Sequence, residues 1–133
     1  MLDVIGRSGG LATGFKSGKF REISSWGFEN SLTMELYSSE LYFMILLLNL
    51  YGPCIERENF WDPFFLKSGM SHPNLIIGGE LNFSLSASES WGISARAYQL
   101  KDYLSNKLAA SQLVDSSLIK PRPTWRNQRM GEA

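Results

Sequence analysis

The 133-residue chain has one cysteine and one histidine. A lone Cys54 excludes an internal disulfide and a cysteine-rich zinc site, and it fits a reducing compartment. A lone His72 excludes histidine-based metal clusters in the same way. Charge of one sign is also missing, because 13 Lys+Arg balance 13 Asp+Glu. No overall field draws such a chain onto a nucleic acid or an acidic membrane face, so any contact with a polyanion has to be local. Long apolar runs are scarce too. The most apolar stretch, LYFMILLLNLY at 41–51, falls well short of the ~20 residues that a membrane helix needs. It also lies too far from Met1 to be the apolar region of a signal peptide. The expectation is an intracellular, soluble chain with no transmembrane segment, and its length suits one domain (1–133) that buries roughly two-thirds of the surface its unfolded chain exposes.

Much of the chain carries strand signals. GRSGGLATGFKSGKF (6–20) sets glycines among Leu11, Ala12 and Phe15, which predicts a hairpin with tight turns. REISSWGFENSLTMELYSS (21–39) alternates patchily, with Ile23, Leu32, Met34 and Leu36 inward, and predicts two antiparallel strands. The 41–50 run is short and apolar on both faces, as expected of the central strand of a sheet. YGP (51–53) ends it. IERENFWDPFFLKS (55–68) places Phe60, Phe64 and Phe65 near helical spacing, and Pro63 limits the segment to one short or kinked helix. HPNLIIGG (72–79) predicts a further buried strand ending at 78. SARAYQLKDYLSNKLAASQL (94–113) has Leu100, Tyr103, Leu104 and Leu108 on one helical stripe, and the remainder is an extended piece with a basic tail. Strands followed by helices and more strands indicate an α/β architecture. Neither end has the pattern of a domain boundary, so the chain is expected to be truncated at both.

The junction LIIGGELNFSLSASESWG (75–92) carries the most chemistry. A strand delivers Glu80 and Asn82 where the backbone leaves the sheet, and the double glycine lets that backbone approach a ligand closely. An acid and an amide two residues apart on an extended chain point the same way. Such a pair orients an attacking water and holds a phosphate oxygen if a metal or a basic group neutralises the developing charge. Taken alone, an acid and an amide near a strand end are more often the solvated side chains of an ordinary loop.

The wider pattern is more specific. GRSGGLATGF, NLYGP, ENFWD, IIGGELNFSLSASESWGISAR and PTWRNQR stand in the order and approximate spacing of the endonuclease domain of plant LINE-type retrotransposons, which the chain resembles from about Gly6 to Gly131. That domain belongs to the endonuclease/exonuclease/phosphatase superfamily, with the apurinic-site endonucleases and the DNase I type nucleases. The resemblance implies a four-layer α/β sandwich, two packed, mostly antiparallel sheets with helices outside, and hydrolysis of a DNA phosphodiester with Mg²⁺. It further implies that Tyr51 reaches the scissile phosphate, that Asn82 orients it, and that Glu80 stands where the family has the aspartate that positions the water. Thr124 and Trp125 resemble the threonine and aromatic that flank the site, while Arg126 and Arg96 would contact the substrate.

Departures from the family pattern are equally informative. A strand-end asparagine and a metal-binding glutamate should precede GRSGG, and an Asp-His pair should follow PTWRN, yet none of these stands in the 133 residues. His72 precedes a strand and reads as a loop residue. The extra methylene of Glu80 moves its carboxylate by about 1 Å, where such a misplacement costs on the order of 10²-fold in rate. Hydrolysis needs a Lewis acid at the phosphate and a group that handles the proton, so the expectation is an inactive remnant of a nuclease domain that lacks the family's metal ligand. The alternative is a non-catalytic module that binds nucleic acid or protein through Arg122, Arg126, Arg129 and Trp125. SGK (17–19) fails as a phosphate loop, because Thr13 and Phe20 stand where that motif needs Gly and Ser/Thr.

Overall fold

The computed structural model describes residues 10–28, 30–83 and 100–116. It divides into two compact units, Met1–Asn82 and Phe83–Ala133. The first carries a four-stranded mixed sheet with order β1-β2-β3-β4, where β1 is Phe20–Phe28, β2 is Ser31–Ser38, β3 is Met44–Tyr51 and β4 is Leu75–Glu80. A helix α1 (Arg57–Phe65) and a 3₁₀ turn (Ser68–Ser71) lie in the connection between β3 and β4. The second unit holds the helix α2 (Lys101–Ala110), whose Leu104 is fully buried.

β1 and β2 form a hairpin in which Phe28 pairs with Ser31, and the Ser31 hydroxyl donates to the Phe28 carbonyl at 3.0 Å. β2 and β3 are antiparallel through a turn at 39–43, pinned by Ser38 N–H on Phe43 O and Tyr42 N–H on Ser38 O. β3 and β4 are parallel; parallel neighbours need a crossover connection, and residues 52–74 supply it. β3 therefore has a partner on each side, as its two-faced apolar sequence predicts.

Strand alternation assigns the core. Leu32, Met34 and Leu36 of β2 share one face with Ile45, and all four are buried. On the opposite face Leu46 and Leu50 are buried. There Leu50 and Phe64 of α1 line a common cavity, and Gly69 of the 3₁₀ turn sits against the Leu46 side chain. The sheet with its covering helix is an α/β arrangement.

Four local expectations are corrected. Residues 10–16 form no hairpin: only Leu11 makes a bridge, and a turn at 17–19 leads straight into β1. The segment is held by a side chain, since Asn49 Nδ2 donates to Ala12 O at 3.1 Å and to Thr13 Oγ1 at 3.0 Å. Ile23 is not inward but 46% exposed, because a bulge between Glu22 and Ser24 makes it the extra residue. The buried side of α1 centres on Trp61 and Phe64 rather than on Phe60, Phe64 and Phe65, with the Trp61 and Phe64 rings edge to face at 5.2 Å. β4 runs to Glu80 and is an edge strand, so Ile76 is 51% exposed. The predicted helix over 94–113 is observed over its central part, and the basic tail lies outside the described residues.

Candidate functional site at the ends of the parallel strands

The sheet brings Tyr51 and Glu80 together. They are in-register neighbours at the C-terminal ends of β3 and β4, so both side chains leave the sheet on the same face. In open α/β sheets the C-terminal ends of parallel strands are where ligands bind. Tyr51 is about half exposed; its backbone pairs with Glu80 of β4 on one side, and its N–H donates to Asn30 O at 2.8 Å on the other. The chain turns away at Gly52 and Leu81, and these two exits pack tightly. A Cβ on Gly52 would collide with the Leu81 carbonyl, so only glycine lets the two backbones come this close.

Two hydrogen bonds lace the exits together and a third braces the β4 exit itself. Gly52 N–H donates to Glu80 O at 2.7 Å. Asn82 Nδ2 donates to Gly52 O. Asn82 N–H donates to Glu80 Oε1 at 3.2 Å. Asn82 is left-handed at φ 54°, a conformation that asparagine tolerates better than most residues. An amide has two N–H donors, so one remains on Asn82 after Gly52 is served. The second carboxylate oxygen of Glu80 takes no part in this lacing, and the Glu80 side chain is exposed. One amide donor, one carboxylate oxygen and one phenol thus belong to residues at the ends of β3 and β4, groups of the kind that hold and orient an oxyanion ester and a water.

Asn49 belongs to this neighbourhood and was not singled out by its sequence context. It lies two residues before Tyr51 on the same face. Besides fastening Ala12 and Thr13, its Oδ1 lies where a side chain on Gly79 would have to go. The signal was present in LLLNLY, where one amide interrupts an otherwise apolar central strand, because a polar group there requires a partner.

Arg96, Thr124, Trp125 and Arg126 lie outside the described residues. His72 precedes β4, so the six-residue strand separates it from Glu80 by roughly 20 Å at about 3.3 Å per residue. Its Nδ1 accepts the Asn74 N–H at 3.1 Å, and Asn74 Nδ2 in turn donates to Met44 O, which makes His72 part of the turn that starts the parallel pair.

Glu80 is a single carboxylate with one oxygen already bonded to Asn82. Among the described residues no group of three or more His, Cys, Asp or Glu comes together. Mg²⁺ is commonly held by one or two carboxylates together with waters and substrate phosphates rather than by an all-protein cage, and among the described residues the strand ends present one such carboxylate, Glu80. Among the same residues no helix is long and apolar enough to cross a membrane.

No protein-family model matches the chain. A stretch of 33 residues is 54% identical to part of Colossin-D from Dictyostelium discoideum. That stretch is 25% of this chain and spans 3% of the length of Colossin-D, so the similarity is confined to a short segment.

Proposed function

We propose that the chain is part of a DNA endonuclease domain of the endonuclease/exonuclease/phosphatase type, as in LINE-type retrotransposons, and that as given it contacts a phosphodiester without hydrolysing it. The observation that carries this reading is the in-register pair Tyr51 and Glu80 with Asn82 tied across it. In this reading the Tyr51 hydroxyl and the remaining Asn82 N–H donate to phosphate oxygens, and Glu80 orients a water. The four-stranded sheet is one of the two sheets of the sandwich, and its face bearing Leu32, Met34, Leu36 and Ile45 is the one turned toward the other. In this reading His72, which precedes β4 at the end remote from Glu80, does not serve as the group that handles the proton in hydrolysis.

Two measurements on the purified chain test the proposal. Tyr51→Phe removes one hydroxyl from an exposed side chain and is expected to weaken binding of a short duplex DNA about fivefold, the loss of one hydrogen bond to a charged oxygen. Unchanged affinity would remove the phosphate-contact role. Nicking of supercoiled plasmid in Mg²⁺ is expected to be absent, and nicking abolished by Asn82→Ala would overturn the inactivity.

A further inference from the structure

A separate cavity opens on the other face of the sheet, beside α1. It encloses about 290 Å³, at the lower end of small-molecule sites. Phe28, Leu50, Phe60 and Phe64 make its apolar wall, with Asn59 and Lys67 at the polar side. Lys67 is the distinctive member. Its ammonium stands 5.2 Å from the centre of the Phe28 ring and 6.0 Å from that of Phe64, so two aromatic faces hold it in place. Among the described residues it forms no ion pair, and the exposed ion pair of this unit joins Lys19 to Glu40 instead.

We propose that this cavity binds a small ligand in which a flat apolar ring is joined to an anionic group. The ring is buried against the phenylalanines and Leu50, the anion meets the Lys67 ammonium, and Asn59 offers an amide to either. The chemistry follows from the lining. An aromatic wall gains most from a planar ring, which buries area with little loss of freedom. A cation fixed at the edge of that wall, and paired with no carboxylate among the described residues, favours an anion, since a charge-assisted hydrogen bond there is roughly twice as strong as a neutral one. The cavity shares no residue with the strand-end cluster, so it stands or falls independently of the phosphodiester reading.

Titration of the ¹⁵N-labelled full chain, followed by amide chemical shifts, tests the proposal with four probes. Phenyl phosphate is expected to shift the Ser31, Asn59 and Lys67 amides and to bind at least about fivefold tighter than phenol, the increment of one charge-assisted contact. Lys67→Ala, on an exposed side chain that leaves the core intact, is expected to erase that difference, and Lys67→Arg to keep it. Thymidine monophosphate and thymidine locate the source of the ligand. A nucleotide preference over phenyl phosphate supports a nucleic-acid or nucleotide origin for the same chemistry, and the reverse supports a free aryl anion. Equal affinity for phenol and phenyl phosphate, or shifts confined to residues 51 and 80–82, would overturn the assignment.

Discussion

At the scale of single residues, the strand-end cluster depends on glycines as much as on its polar side chains. Gly79 has φ +118°, and a Cβ there would collide with the Leu50 backbone and approach Asn49 Oδ1. Backbone conformation and space both exclude a side chain, so Gly79→Ala is expected to lower stability by about 2 kcal/mol or more, measured as the shift of a urea midpoint at unchanged slope. Loss of less than about 0.5 kcal/mol would show that the parallel pair relaxes around a methyl group. The double glycine was legible as a close-approach signal. What it approaches was not, because the neighbour is the backbone of β3 rather than a ligand, and parallel pairing brings the two together across the intervening crossover.

At the scale of elements, the hairpin β1–β2 and the central strand β3 were legible because alternation and a two-faced apolar run report burial directly. The bulge at Ile23 and the edge position of β4 were not. A bulge changes which face a residue takes without changing composition, and LII reads the same in an edge strand as in a central one. The helix α1 was readable down to its irregularity. Pro63 lies inside it, where it removes the hydrogen bond to the Asn59 carbonyl. Proline in a helix interior is about 3 kcal/mol less favourable than alanine. Pro63 lies near the C-terminal end of α1 and is exposed, so Pro63→Ala is expected to stabilise the protein by a smaller amount, about 1 kcal/mol, in the same urea experiment. Destabilisation instead would mean that the pyrrolidine ring, which lines the cavity beside α1, packs there in a way alanine does not replace.

At the scale of the whole molecule, the balance of 13 cationic and 13 acidic side chains limits how the chain meets a charged partner. Without a net field, association is not steered over distance. If the strand ends hold a phosphodiester as proposed, the association rate with duplex DNA should change less than about tenfold between about 50 and 200 mM salt in stopped flow. A steeper dependence would point to a clustered basic surface, such as the arginines of the 117–133 tail, as the main contact.

The sequence by itself determined the β1–β2 hairpin, the central place of the 41–50 run, the short helix at Pro63 and the presence of an acid and an amide just past a double glycine, since these follow from local periodicity and backbone preference. Only the tertiary structure decided that Glu80 lies beside Tyr51, that Asn82 is tied to Gly52, that Asn49 anchors the Ala12–Thr13 segment, and that Lys67 stands over two phenyl rings. Apart from the contact of Lys67 with Phe64 three residues before it, each of those joins residues that a crossover, a loop or most of the sheet separates along the chain. Pairings of that kind are set by strand register and packing, which no local pattern encodes.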